Sequence, residues 1–125
     1  NVTEVIWAVS LDAFSTSYTL KYNVTVNWDC TVNSQPGCVV CELDTLYRLV
    51  GNQYEWFDSI QTSDSAACGS TGNTSTWSGS IPGLPRGMTE VWKLTVAYKI
   101  ASPPNGCDNP SGFIVGDTKI FTASP

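Results

Sequence analysis

The sequence predicts an all-β domain, an antiparallel sandwich of seven strands. Three observations predict it. Tyr18 to Cys30 alternate without a fault between core-type and polar side chains, which is the period of two of a half-buried strand. Further strand-type runs recur between clusters of Gly, Pro, Asn and Ser. No stretch carries the 3.6-residue period of an amphipathic helix.

In the first element Val5, Trp7, Val9 and Leu11 alternate with Ile6, Ala8, Ser10 and Asp12, which gives a strand with Val5, Trp7, Val9 and Leu11 on its core face and a second face only partly polar. In the second, Tyr18, Leu20, Tyr22, Val24, Val26, Trp28 and Cys30 share the core side. Thr19, Lys21, Asn23, Thr25, Asn27 and Asp29 share the wet side. Asn33-Ser34-Gln35-Pro36-Gly37 is a turn cluster, and Cys38 to Val50 resumes a strand rich in branched residues. Gly51-Asn52 splits that strand from Gln53–Phe57 as a tight hairpin does. The polar stretch Gln61 to Ser75, with Gly69 and Gly72, is expected to be the longest loop. Trp77, Gly79 and Ile81 make a short strand. Trp92, Leu94, Val96, Tyr98 and Ile100 alternate with Val91, Lys93, Thr95, Ala97 and Lys99 in a strong one. After Ser102-Pro103-Pro104-Asn105-Gly106 the last strand runs from Gly112 to Thr122.

The run Gly79-Ser80-Ile81-Pro82-Gly83-Leu84-Pro85-Arg86-Gly87-Met88-Thr89-Glu90-Val91-Trp92-Lys93-Leu94-Thr95-Val96-Ala97-Tyr98 resembles a passage of the fibronectin type III domain, in which a short strand meets a Leu-Pro-x-Gly corner and an aromatic opens an alternating strand. Trp28 resembles the tryptophan of that family's second strand. The corner here has one inserted residue, Trp92 stands where the family has tyrosine, and the cysteines are foreign to most such domains. The resemblance implies an immunoglobulin/fibronectin-III-like sandwich, and an immunoglobulin-like sandwich of another branch fits nearly as well.

A chain of 125 residues is the size of one domain, taken as residues 1–125. Charged residues make up 14% against roughly 25% in ordinary soluble proteins, and serine and threonine supply the polarity instead. The net charge is −5, and Lys21, Arg48, Arg86, Lys93, Lys99 and Lys119 stand singly. No cluster can neutralise several phosphates, so nucleic acid is not an expected partner. No apolar run approaches the roughly 18–20 residues of a membrane span, and no basic and apolar leader opens the chain, which reads as a mature form or an excised fragment. Five cysteines, no histidine and the sequons Asn1-Val2-Thr3, Asn23-Val24-Thr25 and Asn73-Thr74-Ser75 point to an oxidising compartment, extracellular or at the cell surface. Glycans are expected on Asn1, Asn23 and Asn73. Pro110 excludes Asn109.

Antiparallel topology gathers the turns that hold Cys30, Cys38, Cys68 and Cys107 at one pole. The expected bridges are Cys41 to Cys68, and Cys107 to Cys30 or Cys38, with one cysteine left over or paired outside the chain. Cys38-Val39-Val40-Cys41 is no redox or zinc motif. Residues i and i+3 of a strand face opposite sides, and neither a βαβ context nor a second Cys-x-x-Cys accompanies it.

Without histidine the chain has no ordinary Ser-His or Cys-His nucleophile, and no Gly-x-Ser-x-Gly elbow or phosphate-cradling loop is present. Glu42 and Glu55 are the one carboxylate pair that neighbouring strands could set face to face, and they read as solvated strand residues. Asp58, Asp64, Asp108 and Asp117 follow no calcium-loop spacing. No catalytic residue, cofactor or metal is therefore expected. Trp7, Trp28 and Trp92 read as core. Tyr54, Trp56 and Phe57 differ, because consecutive Trp56 and Phe57 point to opposite sides of a strand. At least one ring must stand outside the core, as a sugar-stacking or subunit-contact surface or as an edge ring lying on its own sheet.

The function expected from these readings is that of a non-enzymatic, secreted, glycosylated building block: the subunit of a surface filament or pilus-like fibre, or one repeat of an adhesin. Its partners would be copies of itself, head to tail, or neighbouring domains. Residues 3–12 are of the type that is donated to a neighbour's sheet, with Val5, Trp7, Val9 and Leu11 as anchors. The alternative is a carbohydrate- or ligand-binding module of a larger secreted enzyme or receptor.

Overall fold

A computed structural model describes residues 2–31 and 36–125. Asn1 and most of the expected turn at 33–37 lie outside the described residues. Seven strands make up the fold: β1 (Thr3–Ala13), β2 (Ser17–Trp28), β3 (Gly37–Val50), β4 (Gln53–Ala67), β5 (Asn73–Pro85), β6 (Glu90–Ala101) and β7 (Ile114–Ala123). They form two antiparallel sheets, of order β1-β2-β5 and β4-β3-β6-β7. The all-β expectation holds.

The inner faces supply one core. Leu20, Tyr22, Val24, Val26 and Trp28 from β2 meet Val40, Leu46, Trp92, Leu94 and Val96 from β3 and β6, with Ile81 and Leu84 from β5. Alternation in β2 and β6 is what places them there, and each large side chain so buried contributes about 1.5–3 kcal/mol. The open side between the sheets is closed where β1 lies against β7 and the Ile6 N–H donates to Asp117 Oδ2 at 2.8 Å.

Four bulges break the expected alternation, one of them in β5, where the register moves from Tyr18↔Leu84 to Leu20↔Ile81. In β1 the register moves from Trp7↔Asn23 to Ser10↔Lys21, so one residue is extra, and Ala8 takes φ 54°. The strand therefore changes phase. Glu4 and Ile6 point inward before the bulge, and Val9 and Leu11 pack against the core after it. Val5 and Trp7, expected inside, are 51% and 46% exposed. In β4 the register moves from Leu46↔Asp58 to Tyr47↔Trp56, and the extra residue, Phe57, turns inward. Its ring meets Trp92 edge-on at 4.9 Å. In β7 the extra residue is Gly116, between Val96↔Asp117 and Ala97↔Val115.

The expected long loop at Gln61–Ser75 is largely strand, because β4 pairs with β3 as far as Gly37↔Ala67 and β5 starts at Asn73. An edge strand with solvent on one side accepts a polar run that a central strand would not. Pro82 and Pro85 are tolerated for a related reason, since β5 is also an edge.

Candidate functional site

The inward positions of β3 are Cys38, Val40, Glu42, Asp44 and Leu46. Two carboxyls therefore stand in the core, and Glu4 of β1 makes a third. Glu42 is 0%, Asp44 3% and Glu4 6% exposed. Tyr22 Oη donates to Asp44 Oδ2 at 2.7 Å. Both oxygens of Glu4, both of Glu42 and Oδ1 of Asp44 are buried without a conventional donor. Burial is the main reason each carboxyl binds its proton more tightly than usual. It takes Glu42 up to about 12, helped by Glu4 and the charge of Asp44. It takes Glu4 to about 7, opposed by a hydrogen bond from Glu42. It takes Asp44 to about 6, opposed by hydrogen bonds from Tyr22 and Glu42. The same desolvation, with the Asp44 charge, pushes the Tyr22 phenol up. The geometry is self-consistent only with a proton on Glu42, which turns an acceptor-only group into a donor for its carboxylate neighbours.

Two glycines make room for this cluster. A Cβ on Gly116 would lie 2.4 Å from Glu4 Oε1, and one on Gly79 would lie 2.1 Å from Cζ of Tyr22. Surface grooves at Gln61–Ser65, at Asn23 and at Thr3 are lined by none of the three carboxyls. Glu55 is on the exposed side of β4, opposite Arg48, so Glu42 and Glu55 form no pair; Glu55 is solvated as expected, whereas Glu42 is buried. Asp58 and Asp64 of β4, Asp108 and Asp117 of β7 are dispersed. Among the described residues no group of three ligating side chains could hold a metal.

The outer face of the four-stranded sheet is built in rows by the register. Trp56, Tyr47, Lys93 and Ile120 follow one another across β4, β3, β6 and β7, and Ser59, Thr45, Thr95 and Thr118 form the next row. Trp56 is 65% exposed, and its Nε1 donates to Ser59 Oγ at 2.8 Å, so the indole leans along the hydroxyl row. The Lys93 ammonium sits 4.3 Å from the Tyr54 ring centroid and 5.0 Å from that of Tyr47. Tyr54 and Trp56 thus share the outer surface, whereas Phe57 belongs to the core.

On the outer face of the three-stranded sheet, Trp7 stands directly across from Asn23, and Asn23 across from Ser78. Ser78 Oγ donates to Asn23 Oδ1 at 2.8 Å, and Trp7 Nε1 donates to Thr25 Oγ1 at 3.0 Å. Asn73 differs from its expected loop setting. It opens β5 on the strand's core-facing side, its Nδ2 donates to Ser70 Oγ at 3.1 Å, and Ser75 is buried between Trp28 Nε1 and Asp64 Oδ2.

The cysteines do gather at one pole, but the pairing differs from expectation. Cys30 bonds Cys38 and Cys41 bonds Cys107, with Cα separations of 5.8 and 5.5 Å. Cys38 faces the core, so it reaches Cys30 at the end of the inward face of β2. Cys41 faces outward, where the segment 102–113 crosses β3, so Cys107 and not Cys68 is its neighbour. Gln61 Nε2, donating to Cys107 O at 2.8 Å, fastens that segment further. Cys68 lies in the turn after β4, where its N–H donates to Pro36 O at 3.4 Å.

Sequence reasoning missed the Glu4–Glu42–Asp44 cluster, although its signal was present: Glu42 and Asp44 share parity with Cys38, Val40 and Leu46. Comparison with protein-family models, curated proteins and solved structures gives no match.

Proposed function

We propose that the chain is a non-enzymatic extracytoplasmic glycoprotein building block that assembles with copies of itself by exchange of β1. The two sheet orders, β1-β2-β5 and β4-β3-β6-β7, support reading the fold as a fibronectin type III-like sandwich, with β1, β2 and β5 read as strands A, B and E, and β4, β3, β6 and β7 as C′, C, F and G. Two disulfides, and the absence among the described residues of any helix long and apolar enough to cross a membrane, are consistent with a secreted setting.

One observation carries the assembly reading. β1 joins β2 by its ladder, meets β7 through Ile6 and Asp117, and delivers Glu4 and Ile6 to the core, while the three residues Phe14–Thr16 link it to β2. If that hairpin opens, the β1 of one copy makes the same contacts in the next. The exchange is heterologous, so it propagates as a fibre. Val9 and Leu11 are then anchors as strict alternation selects, and Glu4 and Ile6 take the place of Val5 and Trp7. Electron microscopy of the native material tests this. Fibres are expected, and a variant lacking residues 3–12 should form none and should recover its fold when a peptide of residues 2–13 is added. A native protein that stays monomeric at high concentration overturns it.

A second reading, a saccharide-binding module, is favoured by the exposed Trp56 beside Tyr47, Tyr54 and the hydroxyl row. Affinity electrophoresis through polysaccharide gels checks it: Trp56→Ala should abolish any retardation seen with the parent.

A further inference from the structure

We infer that the Asn23 amide carries an oligosaccharide that lies back on the outer face of the three-stranded sheet, over the Trp7 indole that stands directly across the ladder from Asn23 and beside the groove that Asn23 helps to line. This rests on the extracytoplasmic glycoprotein reading and adds a bound conformation to it.

Three features of the face point the same way. The Asn23 carbonyl is occupied by Ser78 Oγ, while Nδ2 has no acceptor among the described residues and Asn23 is on the solvent side of β2. The sequon's third residue, Thr25, is the group that orients the Trp7 indole, through the 3.0 Å bond from Nε1. Beside Asn23 a groove of about 430 Å³ is floored by Ala8 and Gly79 and walled by Lys21, Ser78 and Ser80. The β1 bulge produces that floor, because it places a small residue, Ala8, where a regular strand would carry its next outward side chain. Hydroxyl and ammonium groups along the wall suit a sugar's hydroxyls. An exposed indole suits the C–H face of a pyranose, an amphipathic ring meeting an amphipathic ring. Trp7 is otherwise a large apolar surface left in water at the centre of a hydroxyl-rich face. Asn73 offers no comparable arrangement, since its Nδ2 is committed to Ser70 and its side chain is on the inward side of β5.

The covalent step needs a glycosyl donor, an oligosaccharide on a lipid phosphate carrier. Asn23 Nδ2 forms a bond to the anomeric carbon, the bond from that carbon to the phosphate oxygen breaks, the phosphate leaves with the electron pair, and the amide proton passes to solvent.

Intact-mass analysis with peptide mapping, followed by hydroxyl-radical footprinting of the native and the enzymatically deglycosylated protein, tests the inference. Asn23→Gln serves as a second comparison that does not depend on the enzyme. The expected result is an occupied Asn23 and labelling of Trp7 that rises at least threefold when the glycan is removed, with Trp56 unchanged as the internal control. An occupied Asn23 with equal labelling of Trp7 overturns the inference and leaves the glycoprotein reading standing. An unmodified Asn23 in native material overturns the inference, and if Asn1 and Asn73 are also bare the glycoprotein reading falls with it.

Discussion

Replacing Glu42 by glutamine should flatten the pH dependence of folding and raise stability at neutral pH. Glu42, Glu4 and Asp44 have folded-state values raised to about 12, 7 and 6. Their stabilising contribution is complete below their unfolded values, near pH 4, and is lost as pH rises through the folded ones. Each proton held by the folded chain and already released by the unfolded one lowers stability by about 1.4 kcal/mol per pH unit. Between about pH 5 and pH 6 three such protons give a limiting slope of about 4 kcal/mol per unit; above pH 7 Glu42 alone leaves about 1.4. Among the described residues no cation offsets this. The groups facing the cluster are Tyr22 from β2, Asp117 from β7 and, against Tyr22, the more distant Asp58 from β4. The opposing contribution is at the surface, where Arg48 donates to Glu90 at 2.5 Å and holds that carboxyl below its ordinary value. Glutamine keeps a donor on residue 42 without a titrating proton, so Glu42→Gln should lose about 1.4 kcal/mol per pH unit of slope between pH 5 and pH 7. Urea unfolding at pH 4, 5, 6 and 7, with the denaturant slope held as a check on two-state behaviour, measures it. A parent protein that grows more stable from pH 4 to pH 7, or a variant with the parent's slope, would refute the protonated core.

Gly116→Ala drives a methyl group against Glu4 and Gly79→Ala drives one against the Tyr22 ring. Each should cost about 1–3 kcal/mol by overpacking, and chemical denaturation should show Gly79→Ala also weakening the Tyr22–Asp44 bond through a lower midpoint at every pH. Removing the Cys41–Cys107 bridge, which spans 66 residues, should cost about 4 kcal/mol in chain entropy, against about 2.5 kcal/mol for Cys30–Cys38 across 8. Paired-alanine variants compared by thermal unfolding should preserve that order, and the reverse order would contradict the pairing.

Much of this fold is legible in the chain because β2 and β6 alternate strictly and the turn residues between elements are explicit. What escaped is local. The bulge at Ala8 carries no Gly or Asn to announce it, so Val5 and Trp7 read as core when they are not. The polar β4 reads as loop because its pairing depends on β3 and not on its own composition. The acid cluster was written in the parity of β3, but the usual cost of burying a carboxylate argued against taking that parity literally. Protonation removes that cost; burial drives it, and part of the help comes from Glu4, which lies far away in sequence. The cysteine pole followed from topology, whereas the pairing within it depends on which face of β3 each sulfur leaves.

The most direct test of β1 exchange is a disulfide placed across the β1–β2 ladder. Thr3 and Asn27 are register partners and both are exposed, so a Thr3→Cys/Asn27→Cys variant, oxidised after assembly, traps whichever copy supplies β1. The account predicts a ladder of covalent multimers on a denaturing, non-reducing gel, collapsing to monomer on reduction, with no ladder from the parent. A single monomer band, with residues 3 and 27 cross-linked within one chain in fully assembled material, would contradict it.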